Sequence, residues 1–133
     1  MSQLARLAKP VPDRYVSQVP AGGGRKADYV SHAVITEILL AVLGPFDWEV
    51  EPVRDKDGAI VAALGRLTVD VDGRTTTIRA AGDCTGQEPN EGAALKNAES
   101  DALKRCAMRL GLGLSLWSRD GYFLHRQLTE TQS

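Results

Sequence analysis

The stretch EGAALKNAESDALKRCAMRLGL, from Glu91 to Leu112, decides the fold. Its apolar side chains recur at steps of three and four, which places them on one face of a helix: Leu95, Ala98, Ala102, Cys106 and Leu110. Small residues on this face let another element approach closely, and alanine also favours the helix itself. The other faces carry the basic residues Lys96, Lys104, Arg105 and Arg109. We therefore predict one long helix with a packed back and a basic front.

Charge is unevenly distributed along a chain that is nearly neutral as a whole. The 133 residues carry a net charge of −1 and are 43% hydrophobic, which is typical of one domain with a real core. Residues 1–30 hold five basic and two acidic side chains, and residues 92–126 hold six and three. Residues 47–91 hold five and ten. Because two basic segments flank an acidic one, a local basic surface can form despite the net charge.

Several function classes lack the residues that they need. Cys84 and Cys106 form no CxxC motif, and with two histidines no zinc site is expected; the cysteines are interpreted as small buried side chains. No Walker A motif, dinucleotide fingerprint or Ser–His–Asp set occurs. Asp70, Asp72 and Asp83 resemble a nuclease metal site only loosely, since a turn and an exposed strand face explain the first two better. We therefore expect no catalytic residue, no metal and no cofactor.

Prolines and glycines divide the first third of the chain. The first eight residues are compatible with a short helix with Leu4 and Leu7 inward, and the prolines that follow favour extended chain. Residues 1–20 are therefore interpreted as an extended or short helical arm. The segment AGGGRK, from Ala21 to Lys26, is predicted to be a flexible loop that ends in Arg25 and Lys26. Asp28 is predicted to cap a helix that runs to about Leu43, before Gly44-Pro45.

Three strands are predicted to follow, from Phe46, over 60–71 and over 74–82, because apolar and polar residues alternate there. The Asp72-Gly73 pair indicates a tight hairpin. With that turn, Leu67 faces Ile78 on the core side, and Arg66 faces Arg79 on the outer side. Because like charges directly opposite destabilise a sheet, either the register slips, or nearby acids screen the pair, or an anion binds there.

The end of the chain is predicted to be an apolar tail after the long helix. Gly111 and Gly113 end that helix, and a turn at residues 119–121 interrupts the apolar residues, which pack on the domain or on a neighbouring subunit. Residues 127–133 are expected to fray. The expected class is α+β: a helix, a three-stranded antiparallel sheet and one long helix packed on it, with the core domain at residues 21–126.

The basic front of the long helix has two interpretations from its residues alone. Asp101 and Arg105 are four residues apart with the acid first, so they are predicted to form a surface ion pair. Lys104 has Ser100 at the corresponding position and therefore no such partner. The face is either a nucleic-acid surface or an ordinary solvated face.

Three segments in order resemble the Rad fifty-two single-strand annealing family. AGGGRKADYVSHAVI followed by GPFDW is similar to the start of the family's core domain, the VDG hairpin continues the similarity, and ALKNAESDALKRCAMRLG is the closest part. The resemblance covers roughly Val19 to Leu124. It implies a β-β-β-α core that assembles into a ring or arc, with single-stranded DNA in a basic groove, its backbone held and its bases exposed for pairing.

The resemblance also implies the DNA-binding residues. Lys104 and Arg105 correspond to the Lys-Arg pair that lines the family's groove, and Tyr29 corresponds to a tyrosine near it. Lys96 matches a helix lysine, and Arg119 matches a basic residue of the tail. The set of expected DNA contacts, including those suggested by charge and by the strand pairing, is Arg25, Lys26, Tyr29, Arg66, Arg79, Lys96, Lys104, Arg105, Arg109 and Arg119.

Two positions depart from the family pattern. The family's arginine before the glycine loop falls on Val19 or Pro20, and its arginine one turn after the Lys-Arg pair falls on Met108, next to Arg109. The groove is therefore expected to be less basic, or to use Arg25 and its neighbour together with Arg109.

The implied function is annealing of single-stranded DNA in recombination, without nucleotide hydrolysis. The implied partners are single-stranded DNA, further copies of the chain, and host or phage recombination proteins. The chain resembles the compact phage or bacterial members of the family. With neither a signal peptide nor an apolar span of about 18 residues, it is expected in the cytoplasm, with no membrane partner.

Two other classes share parts of this pattern. A double-stranded RNA-binding domain has the same order of helix, three strands and basic helix and reads duplex shape, although it is shorter and leaves the glycine loop and the apolar tail unexplained. A purely structural oligomer would bind no nucleic acid even at low salt. Preference for single-stranded DNA over duplex RNA distinguishes a strand-annealing protein from a double-stranded RNA-binding domain.

Overall fold

The chain forms an antiparallel sheet crossed on one face by a long helix. The computed structural model describes residues 1–132, apart from the side chains of Arg119, Thr131 and Gln132. Its elements are α1 (Gln3–Ala8), β1 (Ser17–Pro20), β2 (Lys26–Tyr29), α2 (His32–Leu43), β3 (Asp47–Arg54), β4 (Ile60–Val71), β5 (Arg74–Asp83), α3 (Glu91–Met108), α4 (Ser115–Ser118) and α5 (Leu124–Gln132), with 3-10 turns at Asp13–Tyr15 and Arg119–Gly121. This confirms the predicted α+β class.

The main sheet has the order β3-β4-β5, and the register between β4 and β5 is the one that the sequence predicts. Leu67 lies opposite Ile78 and Arg66 opposite Arg79. Asp72 and Gly73 have φ angles of 51° and 81°, as the primed hairpin turn requires. The sheet therefore presents an inner face to α3 and an outer face that carries both arginines.

The long helix α3 begins at the predicted position and ends one turn earlier than expected. The Asn90 side chain accepts a hydrogen bond from the Ala93 amide at 2.8 Å and caps the helix. Beyond Met108, Gly111 adopts a φ of 90°, and the Leu112 amide donates to the Ala107 carbonyl at 3.1 Å. This Schellman-type ending turns the chain back toward the domain.

The core lies between the inner face of the sheet, α3 and α2. Its largest fully buried side chains are Leu7, Leu39, Leu67, Leu112 and Cys106. At 25 cal/mol per Å² of apolar area, each such leucine stabilises the fold by about 1.5–3 kcal/mol. Leu7 belongs to α1, which confirms the short helix with Leu4 and Leu7 inward that the sequence predicts at the start of the chain.

The predicted start of α2 is wrong. Asp28 does not cap the helix, because residues 26–29 form β2, which pairs with β1. The cap is Ser31, whose Oγ accepts from the Val34 amide at 3.2 Å. Gln18 on β1 donates instead to the Asp28 carboxylate. Residues 26–29 are therefore a strand and not part of the helix, because they pair with β1, and the local sequence does not reveal this partner.

The triple glycine forms the turn between β1 and β2. Gly22, Gly23 and Gly24 all have positive φ, which side-chain-bearing residues rarely adopt. The Ala21 amide donates to the Arg25 carbonyl at 3.0 Å and closes the hairpin. The prediction of a flexible loop missed this pairing.

The end of the chain is helical to Gln132 rather than frayed from Gln127. α5 packs against α1, and the Tyr122 hydroxyl donates to the Ala8 carbonyl. Burial raises the pKa of the Tyr122 hydroxyl above its ordinary value. In the part of the chain that is described, no helix combines the length and the apolar character needed to cross a bilayer.

Candidate nucleic-acid interface

Lys104 and Tyr29 meet where β2 passes the C-terminal half of α3. The Lys104 ammonium lies 3.8 Å from the centroid of the Tyr29 ring, well within the range of a cation–π interaction. The tyrosine side chain remains 40% exposed. The β1–β2 hairpin thus orients the lysine that the sequence left without a partner, while keeping the site open to solvent.

Arg105, the next residue on α3, is held by the predicted ion pair with Asp101. Its Nε lies 3.1 Å from Asp101 Oδ2, and the same oxygen accepts the Asp83 amide at 2.9 Å. The guanidinium carbon also lies 6.0 Å from the centroid of the Trp117 ring. A partly exposed pair of this kind contributes well under 1 kcal/mol, so the guanidinium remains available to an anion.

A pocket of about 350 Å³ opens beside these two basic residues. We call it the Tyr29–Trp117 pocket, after two aromatic residues in its wall. Its wall includes the aromatic residues Tyr29 and Trp117, the charged residues Asp28, Asp101 and Lys104, and the apolar residues Ile35 and Leu116. Ile35 is buried and Leu116 half-buried, whereas Trp117 is 64% exposed. The pocket therefore combines apolar packing with exposed aromatic rings and both signs of charge.

Arg25 and Lys26 lie at the tip of the β1–β2 hairpin, and both are exposed. Arg25 belongs to the glycine turn, and Lys26 begins β2 opposite Pro20. Because side chains alternate along a strand, Lys26 lies on the face of the ribbon opposite to Tyr29. Arg25 and Lys26 therefore lie at one end of β2, and Tyr29, which lines the pocket, lies at the other end.

The outer face of the sheet holds the second predicted basic group. Arg66 and Arg79 are adjacent there, along an open depression of about 620 Å³. Glu49, opposite Arg66 on β3, lies 3.4 Å from the Arg66 guanidinium. An acid therefore offsets part of the like-charge repulsion, and the register does not slip.

These two arginines do not share one surface with Lys104 and Arg105. The inner face of the sheet is packed against α3, as the close approach of Gly82 to the backbone of Ala98 and Ala102 demonstrates. Arg66 and Arg79 lie on the other face. Within one chain, the sheet therefore lies between these two arginines and the Lys104–Arg105 pair.

The remaining predicted residues lie elsewhere on or near α3. Lys96 is exposed and borders a groove between α2 and α3, close to Trp48, whose indole donates to Glu99 at 3.1 Å. Arg109 is exposed just beyond the end of α3. Arg119 belongs to the second 3-10 turn, but its side chain lies outside the described part of the structure.

Trp117 and Asp101 are the site residues that sequence reasoning missed as such. Trp117 was interpreted only as part of an apolar tail, and Asp101 only as a surface ion-pair partner. An aromatic residue shortly after a Lys-Arg pair was the available signal. Its position next to Arg105 depends on the reversal at Gly111, which composition does not reveal.

The two cysteines lie in different environments. Cys106 is fully buried, and burial raises the pKa of its thiol. Cys84 is only half-buried, which corrects the interpretation of both cysteines as buried side chains. Within residues 1–132, no cluster of three or more histidine, cysteine or carboxylate groups is arranged to hold a metal ion.

Comparison with known proteins assigns the family. No curated protein sequence matches the chain. Residues 1–132 match the family model described as "Rad52/22 family double-strand break repair protein". Since the match spans essentially the whole chain, the protein belongs to the Rad52/22 family of double-strand break repair proteins.

Proposed function

We propose that the protein binds single-stranded DNA along its phosphate backbone and anneals complementary strands during recombination. The observation that carries this proposal is the Lys104–Arg105 pair, placed on a rigid helix and flanked by the Tyr29 and Trp117 rings. The protein acts as a homo-oligomeric ring or arc and hydrolyses no nucleotide.

Backbone binding follows from the charge and the positioning of these two side chains. A lysine or arginine that neutralises a phosphate releases a condensed counterion, so affinity arises without base recognition. Tyr29 positions the Lys104 ammonium, and the weak Asp101 pair positions Arg105. Less side-chain freedom is therefore lost when a strand binds.

Annealing follows when a strand is held by its backbone with most of its bases accessible. An extended, immobilised strand presents its pairing edges to a complement, and this lowers the entropic cost of finding the matching register. No bond to the protein needs to form. The proposed activity is consequently independent of any nucleoside triphosphate.

Arg25, Lys26 and Arg109 are proposed to extend the path of the strand beyond α3. Arg66 and Arg79 remain predicted contacts, but for a different segment of DNA, since the sheet separates them from Lys104. Lys96 borders another groove and is proposed only as a peripheral contact.

Alanine substitutions at Lys104 and Arg105 test the proposal. Each change should weaken binding of a labelled single-stranded oligonucleotide and reduce the slope of log K against log salt by about one unit. Fluorescence anisotropy over a salt series measures both quantities, and annealing of complementary oligonucleotides should slow in parallel. Lys56→Ala, in the exposed β3–β4 turn, is the matched control and should change neither.

The ligand class is tested in the same assay. Duplex RNA should compete poorly with single-stranded DNA, whereas a duplex-RNA reader would show the reverse preference. Unchanged affinity in both the Lys104 and the Arg105 variants would remove α3 from the binding site.

A further inference from the structure

The Tyr29–Trp117 pocket has features that backbone binding does not use. Phosphate neutralisation needs cations at the surface, not a recess with a buried isoleucine and two exposed aromatic rings. Its volume of about 350 Å³ is near the lower end of the range for small-molecule sites, about 300–1,000 Å³. A site of this size suits one planar group.

We propose that this pocket receives one base of the bound single strand, stacked on Trp117. The proposal rests on the proposed function and adds a base-binding subsite to it. A bound strand then has most bases outside and one base per protomer inserted, which fixes the spacing of protomers along the strand.

The charges around the pocket favour a base inside it and a phosphate outside it. Lys104 lines the pocket, and Arg105 follows it on α3. A phosphate next to an inserted base would therefore lie near both cations. Asp28 and Asp101 both contribute carboxylates to the pocket lining. A carboxylate repels a phosphate, but it can accept a hydrogen bond from an N–H group on the pairing edge of a base.

Exposure of an aromatic ring does not by itself indicate a base-binding site. Phe123 is 63% exposed, about as much as Trp117 at 64%, yet it does not line the pocket. What distinguishes Trp117 and Tyr29 is that each lies against a basic residue of the Lys104–Arg105 pair. Bases stacked on aromatic rings beside a cationic backbone groove are the usual arrangement of single-strand binding sites.

Trp117 fluorescence provides a direct test. The chain has two tryptophans, and Trp48 is half-buried with its indole bonded to Glu99. The difference in emission between the wild type and Trp117→Phe therefore reports on Trp117 without disturbing the core. Oligo(dT) should quench this difference signal, whereas an abasic oligonucleotide of equal length should not, although it binds with the same salt slope.

Affinity gives the second readout. Trp117→Ala should weaken oligo(dT) binding on the order of tenfold, the usual effect of losing one stacked base, and leave abasic binding unchanged. Phe123→Ala is the matched control and should change neither. Circular dichroism should report an unaltered fold, because Trp117 is largely exposed.

Three results would overturn the inference. Quenching by the abasic strand would place a phosphate or a protein rearrangement at Trp117. An equal loss of oligo(dT) and abasic affinity in Trp117→Ala would mean that no base is inserted. A Trp117 signal that follows protein concentration but not DNA would mean that a second copy of the chain covers the ring. Failure of the proposed function itself is distinguishable, since no single strand would then bind at all.

Discussion

The carboxylate of Glu88 connects the loop before α3 to the helix. It accepts hydrogen bonds from the Thr85 amide and hydroxyl, both at 2.9 Å, from the Gly86 amide at 3.0 Å and from the Asn97 side chain at 2.8 Å. The Asn97 bond, followed by the Thr85 backbone bond, lowers the pKa of Glu88 from 4.5 to about 2. The loop that leads into α3 is therefore organised by an ionised side chain.

Glu88→Gln should destabilise the protein in a pH-dependent way. Because the folded-state pKa lies below the unfolded one, the contribution of the carboxylate is fully present above pH 4.5 and disappears as the pH falls toward about 2. The melting temperature of Glu88→Gln should thus lie below that of the wild type near neutral pH, and the two should converge in acid. Glu51→Gln, an exposed control on β3, should show no such convergence, and a difference independent of pH would argue against the assignment.

Single residues show how far the sequence determines the site. Lys104, Arg105 and the Asp101 pair could be predicted because spacing on a helix fixes which side chains are neighbours. The contact between Lys104 and Tyr29 could not, since it requires β2 to pair with β1, and that segment carries a plausible helix cap at Asp28. The pairing of β2 with β1, and not the local sequence, determines the conformation of residues 26–29.

At the scale of elements, α3 lies unusually close to the sheet because small residues meet at the contact. A Cβ added to Gly82 of β5 would lie 2.2 Å from the Ala98 carbonyl oxygen and 2.3 Å from the Ala102 amide nitrogen. Both contacts are with backbone atoms, which cannot rotate away. The alanines of α3 predicted a close approach, and the register predicted that Gly82 faces inward. The distance between α3 and the sheet at Gly82 could not be predicted from the sequence, because it depends on how the two elements pack.

Gly82→Ala should consequently displace α3 and destabilise the fold by about 1–3 kcal/mol, the usual cost of overpacking a core. Urea unfolding monitored by circular dichroism would measure the change. The control is Gly92→Ala in the first turn of α3, where the new Cβ would lie 3.4 Å from the Asn90 side chain. That substitution should stabilise the protein by about 0.5–1 kcal/mol, because alanine suits a helix better than glycine. Equal stability of Gly82→Ala and the wild type would disprove the tight contact.

At the scale of the whole molecule, local signals predicted the order of helix, three strands and long helix but not how the ends of the chain close the fold. The Asp72 carboxylate accepts the Gln3 amide at 2.8 Å, and the Asp72 amide donates to the Gln3 side chain at 2.7 Å. The Tyr122 hydroxyl likewise links the two ends of the chain, since it donates a hydrogen bond to the Ala8 carbonyl. These contacts join residues about 70 and more than 100 positions apart, and no periodicity encodes them. The sequence therefore predicted the short helix α1 but not its partners, and it predicted a frayed tail where the structure has α5.

The main sheet ends in two strands of opposite charge. Within residues 1–132, β3 and β5 each pair with β4 alone. β3, DWEVEPVR, has three acids and one arginine, whereas β5, RTTTIRAAGD, has two arginines and one acid. Unpaired edges readily pair with another chain, and complementary charge favours β5 of one copy beside β3 of the next. Such a contact is heterologous, so repeating it generates a ring or an open arc rather than a closed dimer.

Light scattering should therefore give a mass well above that of a dimer, and the mass should fall as salt screens the edges. Glu51→Lys, which replaces an acid of β3 by a base, should lower the mass, because it places a positive charge beside the arginines of β5 in the neighbouring copy. Asp57→Lys makes the same change of charge in the exposed β3–β4 turn and should leave the mass unaltered. If both variants lowered the mass equally, net charge and not the strand edge would control assembly. A wild-type monomer, with or without single-stranded DNA, would exclude edge pairing and with it the oligomeric part of the proposed annealing mechanism.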